Sequence, residues 1–175
     1  MQRGFRITNK YSERCLCCFD SAIGARNLKQ GDMDPEGDWE IVPGGNGVVR
    51  FVNIECGRTL SLYAQRTTDV DSNWTHGVGA IYYPTKAVHH ADGDWRLVPY
   101  GADGKRMFVY DGIIGDGYWR IVNNEHNRAL YARKDHGWKV GAGHPAHCVD
   151  EDGNWYFSKR LLKERLDDNI PASAV

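Results

Sequence analysis

Two short segments of the sequence combine a tryptophan with carboxylate, amide and imidazole groups. They read TTDVDSNWTHGVGA and ARKDHGWKVGAG, and their candidate ligand-binding residues are Asp71, Asn73, Trp74, His76, Asp135, His136 and Trp138. Carboxylate and amide groups hydrogen-bond to the paired hydroxyls of a sugar, while an indole ring stacks on its apolar face. Each segment therefore predicts either a shallow carbohydrate site or, as the alternative, a hairpin capped by an aromatic side chain.

Catalytic and metal-binding patterns are missing from the sequence. It contains no GxSxG, HExxH, P-loop or Rossmann fingerprint, and no pair of carboxylates stands out for acid-base work. His144, His147 and Cys148 have metal-like spacing, but Pro145 excludes a regular helix that would face both rings together, and no fourth ligand is evident. We therefore expect no enzymatic activity, no metal ion and no cofactor.

The composition restricts the kinds of partner. The chain has 175 residues, a net charge of −1 and a pI of about 6.6, with lysines and arginines scattered along it. A scattered charge argues against nucleic acid and against a polybasic membrane surface. No apolar run approaches the roughly 18 residues that a membrane-spanning helix needs. The start, MQRGFRITNK, lacks an apolar signal core. We expect a cytoplasmic protein as the chain is written, or a secreted one if a leader has been removed.

One skeleton occurs three times with identical spacing. The pattern R-x-x-N-x-x-x-x-R-x-L begins at Arg6, Arg50 and Arg120. Each copy is followed by Gly-Asp-Trp or Gly-Asn-Trp and a strand-like tail, in GDWEIVP, GDWRLVP and GNWYFSK. Since a repeat without a nucleophile, a base or a metal set is usually architecture, these copies predict three similar structural units.

Within each unit, apolar and polar residues alternate over short runs rich in Val, Ile, Tyr and Trp, which predicts about four strands. A four-stranded unit cannot bury a face alone, whereas three of them closed around one axis leave no exposed sheet edge. The sequence thus predicts an all-β protein of about twelve strands, a β-trefoil, in preference to a β-sandwich. The expected boundaries are one domain over 1–160, units over about 5–47, 48–104 and 119–160, an inserted hairpin over 105–118, and a helical or flexible tail over 161–175.

The repeated positions are expected to be structural. Alternation places six apolar side chains in the barrel, namely Ile7, Leu16, Phe51, Leu60, Ile121 and Leu130. Three tryptophans are predicted to join that core: Trp39, Trp95 and Trp155. Asparagine suits the turn after the first strand, at Asn9, Asn53 and Asn123. The arginines that open the second strand, Arg14, Arg58 and Arg128, should pack or hydrogen-bond around that turn.

Differences between the units are the better guide to function. Where units two and three carry the tryptophan segments, unit one has DSAIGARNLKQ, with Asp20 and Arg26 but no aromatic ring. Insertions on a symmetric scaffold lie on loops, and loops often contain binding residues. The predicted hairpin over 105–118 is such an insertion. The tryptophan segments are therefore the first candidate site.

Five cysteines are present, at positions 15, 17, 18, 56 and 148. The odd count leaves at least one thiol outside any disulfide, and the number is too low for a disulfide scaffold of this length. We expect reduced thiols, several of them buried on a strand.

The repeats resemble ricin-B-like β-trefoil binding modules, although Gly-Asp-Trp and Gly-Asn-Trp replace that family's Gln-x-Trp. The pattern is more similar to the C-terminal trefoil domain of insect 30K haemolymph lipoproteins, with strands of the form R-I-x-N-x-E. RFVNIE from Arg50 and RIVNNE from Arg120 match best, and the likeness covers about residues 48–160. The resemblance implies a β-trefoil fold. The segments that contain Trp74 and Trp138 favour a non-enzymatic, lectin-like module that binds glycans or glycoproteins. A protein-binding trefoil, such as a protease inhibitor or toxin component, and a body-fluid storage or carrier protein remain open.

Overall fold

The computed structural model describes residues 3–19, 22–26, 35–63, 76–81, 93–100, 117–133, 139–143 and 153–161, which are almost entirely β-strand. Within these ranges the strands are β1 (Arg3–Asn9), β2 (Cys15–Phe19), β3 (Ala22–Arg26), β4 (Trp39–Gly45), β5 (Val48–Asn53), β6 (Thr59–Tyr63), β7 (His76–Ile81), β8 (Trp95–Tyr100), β9 (Tyr118–Asn123), β10 (Ala129–Arg133), β11 (Lys139–Gly143) and β12 (Trp155–Leu161). A 3-10 turn, Pro35–Gly37, precedes β4.

Six of these strands form a closed barrel. Each is hydrogen-bonded to the next around the ring β1, β4, β5, β8, β9 and β12, and β12 returns to β1. The three contacts that join one strand pair to the next use the same position in every unit, at Phe5↔Trp39, Val49↔Trp95 and Trp119↔Trp155. This repetition shows three equivalent units around one barrel, and it does not fit the β-sandwich alternative.

The other six strands form three hairpins, β2–β3, β6–β7 and β10–β11, which contact one another in a triangle. Their second strands share the pattern Ile/Val-Gly-Ala, and each glycine pairs with the residue two before the glycine of another unit. The three pairs are Gly24↔Lys139, Gly79↔Ala22 and Gly141↔Gly77. At Gly141 there is no room for a larger side chain, since an added Cβ would lie 2.6 Å from Tyr131 Oη.

The core contains the residues that alternation predicted. The six apolar side chains and the three tryptophans are fully buried in one cluster, formed by Ile7, Leu16, Phe51, Leu60, Ile121, Leu130, Trp39, Trp95 and Trp155. Each indole Nε1 also donates a hydrogen bond to a backbone oxygen at the same relative position, Leu16 O at 2.8 Å, Leu60 O at 2.9 Å and Leu130 O at 3.0 Å. The predicted core is thereby confirmed, with a polar anchor that the alternation pattern does not predict.

The repeated asparagines hold the turns after β1, β5 and β9. Their Oδ1 atoms accept backbone N–H bonds from residues three positions later, Ser12, Cys56 and His126. The backbone N–H groups of the same asparagines donate to the backbone oxygens of Arg14, Arg58 and Arg128. The residue before each arginine is left-handed, with φ of 54° at Glu13, 65° at Gly57 and 49° at Asn127. The predicted turn role of the asparagines is confirmed, and the arginines contribute through their backbone.

At two predicted boundaries, a residue that was assigned to the inserted hairpin or to the tail belongs to a strand in the structure. Tyr118, assigned to the end of the inserted hairpin, is the first residue of β9 and pairs with Tyr100. Leu161, assigned to the tail, is the last residue of β12. The rest of the inserted hairpin up to residue 116, and the tail from 162 to 175 with its predicted helix, lie outside the described residues.

Candidate functional site

The two tryptophan segments lie mostly outside the described residues. Asp71, Asn73 and Trp74 fall within 64–75, and Asp135, His136 and Trp138 fall within 134–138. For His76 the backbone is described, and it is the first residue of β7. The structure therefore fixes the strands that carry the candidate residues, and the site itself stays a prediction.

The strands that carry these segments are hydrogen-bonded neighbours. The second-unit segment (64–75) connects β6 to β7, and the third-unit segment (134–138) connects β10 to β11. β7 pairs with β11 through Gly77↔Gly141 and His76↔Ala142. Lys139, directly after the third-unit segment, pairs with Arg133 across its own hairpin and with Gly24 of the first unit. Both segments thus start from the triangle of hairpins at one end of the barrel.

The first unit offers no equivalent segment at this end. β2 ends at Phe19 and β3 begins at Ala22, so two residues separate the strands, and Asp20 is one of them. Arg26, the other polar residue considered there, pairs with Cys15 at the opposite end of the hairpin. The asymmetry between the units is consistent with a function confined to units two and three.

Two buried ion pairs cross the barrel wall at equivalent positions. Arg6 Nε lies 3.1 Å from Asp38 Oδ1, and Arg50 Nε lies 2.7 Å from Asp94 Oδ1. The third unit has Asn154 at this position, and both atoms of its side-chain amide are buried without a hydrogen-bond partner among the described residues. Sequence reasoning noted both the arginine and the Gly-Asp-Trp motif but did not join them. The pairs have a structural role, because their side chains are at most 12% exposed.

A partly exposed aromatic group lies where units one and three meet. We name Lys10, Tyr118 and Tyr156 the tyrosine cluster. Lys10 Nζ lies 4.5 Å from the centre of the Tyr118 ring, and that ring meets the Tyr156 ring edge-on at a centroid distance of 6.2 Å. Tyr118 is 37% exposed. Sequence reasoning missed this cluster because its members come from three distant strands or turns.

Burial raises the pKa of Tyr156 above its usual value of 10.0. A side-chain hydrogen bond with Thr8 acts in the opposite direction, and the nearby Cys15, Glu13 and Tyr118 add smaller increases. Tyr156 therefore stays protonated, and able to donate a hydrogen bond, over the whole neutral range.

Four of the five cysteines are described, and none of these four is in a disulfide. The predicted burial of several thiols on a strand is confirmed, since Cys15, Cys17 and Cys18 are buried on β2. Cys56 is half-buried, and the reduced state of the thiols stays a prediction. In the described part of the chain, no three His, Cys, Asp or Glu residues come together as a metal site would require. His144, His147 and Cys148 lie outside the described residues.

Among the described residues, no helix has the length and apolarity of a membrane span.

Neither a protein-family model nor a curated protein sequence matches the chain. Solved structures do. The designed threefold-symmetric protein ThreeFoil is 17% identical with a TM-score of 0.63, over 88% of this chain and 96% of that one. The BEL β-trefoil is 14% identical with a TM-score of 0.64, over 90% and 92%. The GlcNAcα1-4Gal releasing endo-β-galactosidase from Clostridium perfringens is 13% identical with a TM-score of 0.62, over 91% of this chain but 33% of that one.

These similarities, together with the closed barrel and its three hairpins, show that the chain has a trefoil-like fold. At such identities they concern the fold alone, since one fold serves many functions. The narrower resemblance to insect 30K lipoproteins stays a prediction.

Proposed function

We propose that the protein is a non-enzymatic, lectin-like module that binds carbohydrate through the second-unit and third-unit segments. The observation that supports this most directly is the pairing of β7 with β11 at Gly77↔Gly141 and His76↔Ala142. Because of this pairing, both tryptophan-containing segments start from adjoining hairpins of the triangle. The first unit, which has no tryptophan here, connects its strands with two residues.

Each proposed site uses one indole and one carboxylate. Trp74 and Trp138 would stack on the apolar face of a sugar ring, and Asp71 and Asp135 would accept hydrogen bonds from its hydroxyls. Trp39, Trp95 and Trp155 are not candidates for this role, because their rings are fully buried and their Nε1 atoms are already bonded to backbone oxygens.

Two sites on one chain can compensate for the weak binding of a single sugar at each site. A shallow cleft that holds one sugar binds weakly, but two linked clefts raise the apparent affinity for a multivalent glycan without any new contact. The endo-β-galactosidase among the similar structures acts, by its name, on a carbohydrate, which supports the proposed ligand class at the level of the fold.

A glycan array probed with the wild-type chain and with a Trp74→Ala/Trp138→Ala double variant tests this proposal. The wild type should bind a subset of glycans, and the double variant should bind none while its melting temperature stays close to that of the wild type. Tyr11→Ala is the matched control, because Tyr11 is an exposed aromatic residue, 52% accessible, on a turn of the first unit. It should bind like the wild type.

Three results would count against the proposal. A wild-type chain that binds no glycan contradicts a carbohydrate function. A double variant that no longer folds shows that the two rings belong to the core. A folded double variant that still binds moves the site elsewhere, and Tyr118→Ala in the tyrosine cluster is then the next variant to measure.

A further inference from the structure

Two cysteines from different units are in contact through their sulfur atoms. Cys18, on β2 of the first unit, places its Sγ 3.2 Å from Sγ of Cys56, which lies in the turn between β5 and β6 of the second unit. This separation is longer than the S–S bond of about 2.0 Å and describes two thiols in contact. Cys18 is 3% exposed, and Cys56 is half-buried at the edge of the same apolar cluster. A small reagent can therefore reach Cys56 first.

The other cysteines of β2 are directed elsewhere. Cys15 Sγ lies 3.4 Å from Thr8 Oγ1, and Cys17 Sγ donates to the backbone oxygen of Cys15 over 3.4 Å. Neighbouring residues of a strand point to opposite faces, so Cys17 and Cys18 cannot both face the second unit. Among the cysteines of β2, Cys18 is the one that faces Cys56.

The fold does not require a thiol at either position. In the threefold repeat, Cys18 corresponds to Leu62 and Ala132, and Cys56 corresponds to Ser12 and His126. The structural task of Cys56 is carried out by its backbone, whose N–H donates to Asn53 Oδ1 as Ser12 N–H does to Asn9 Oδ1. The contact between two thiols is thus a property of this one junction and not of the repeat.

We propose that Cys18 and Cys56 form an oxidation site that closes to a disulfide between the first and second units, with a low-molecular-weight disulfide such as oxidised glutathione as the oxidant. The Cys56 thiolate attacks one glutathione sulfur, the glutathione S–S bond breaks, and one glutathione leaves as a thiolate that takes up a proton. Cys18 then loses its proton, and its sulfur attacks Cys56 Sγ and displaces the second glutathione. Two protein thiols are oxidised by two electrons, and one oxidised glutathione is reduced to two thiols.

The bridge would join residues 38 positions apart in the chain. A crosslink of that span restricts the unfolded chain, and the sulfur contact already present means that little native structure has to move. We expect the oxidised protein to melt about 5–10 °C above the reduced protein.

The experiment incubates the folded chain with oxidised glutathione, blocks remaining thiols with iodoacetamide, and analyses a tryptic digest by mass spectrometry without reduction. Cleavage after arginine isolates residues 15–26 and 51–58, which contain Cys18 and Cys56 respectively. A linked pair of these peptides, two hydrogens lighter than their sum, is expected, together with the rise in melting temperature.

Three variants assign the sulfurs. Cys18→Ala and Cys56→Ser introduce residues that the fold uses at corresponding positions, and both should lose the linked peptides and the rise in melting temperature. Cys17→Ala is the matched control and should keep both. If Cys18→Ala does not fold, Cys56→Ser decides the matter by itself, since its turn is half-buried. A wild type with no link, a stable glutathione adduct on Cys56 without closure, or a Cys17→Ala variant that loses the link would overturn the proposal.

Discussion

Arg50 Nε lies 2.7 Å from Asp94 Oδ1, and the two residues belong to neighbouring strand pairs of the barrel. Arg6 and Asp38 make the same contact in the first unit at 3.1 Å. A buried charge of this kind is costly if its partner is removed, because little water is present to replace it. The third unit has Asn154 in place of the aspartate. The contribution of the ion pair can therefore be tested by exchanging aspartate and asparagine in both directions.

Asp94→Asn should lower the free energy of unfolding by about 1–3 kcal/mol, because Arg50 keeps a hydrogen-bond acceptor but loses its countercharge. Asn154→Asp is the reciprocal change and should raise the free energy of unfolding by about 1 kcal/mol, because it gives the third unit the carboxylate of the other two. Urea denaturation with an unchanged m-value measures both. Equal stability of both variants and the wild type would show that the ion pairs contribute nothing.

The hydrogen bond from Trp95 Nε1 to Leu60 O at 2.9 Å should be measurable by substitution with phenylalanine. Trp95→Phe leaves the buried Leu60 oxygen without this donor, in addition to the loss of ring volume. Trp119→Phe is the control, because Trp119 is 3% exposed and its Nε1 has no hydrogen-bond partner among the described residues. Trp95→Phe should cost about 1 kcal/mol more than Trp119→Phe in chemical denaturation. The reverse order would argue against the polar anchor.

Close contact at the hairpin triangle predicts that Gly141→Ala is destabilising. The new Cβ would lie 2.6 Å from Tyr131 Oη, on a side chain that is itself buried. We expect a loss of about 1–3 kcal/mol from overpacking. In a Tyr131→Ser background, where the serine matches Ser61 of the second unit, the same change should cost less than about 1 kcal/mol. A double-mutant cycle without coupling would show that the tyrosine is not the obstacle.

The raised pKa of Tyr156 predicts its behaviour in alkali. Since burial raises this pKa above 10.0, the protonated form stabilises the fold fully below pH 10, and that stabilisation is lost as the pH rises through the folded-state pKa. The absorbance difference at alkaline pH between the wild type and Tyr156→Phe should have its midpoint above pH 10.0. A midpoint at or below that value would mean that water reaches the hydroxyl freely.

Sequence reasoning succeeded where one period or one repeat determined the answer. Alternation identified Ile7, Leu60 and the other core residues, and the triplicate motif predicted the turns at the asparagines. It missed contacts between distant residues, such as Arg6 with Asp38, because no local spacing relates residues 32 positions apart. It also missed the Ile/Val-Gly-Ala repeat, which is visible in the sequence once the three hairpins are aligned. Asp71, Trp74, Asp135 and Trp138 lie outside the described residues, so their role stays a prediction.

The central claim is that two equivalent carbohydrate sites exist, one in each tryptophan segment. Calorimetric titration with a monovalent fragment of the best array glycan tests it most directly, because stoichiometry separates the sites from one another. The account predicts two fragments bound per wild-type chain, one per chain for Trp74→Ala and for Trp138→Ala, and none for the double variant. An unchanged stoichiometry in all three folded variants would contradict it.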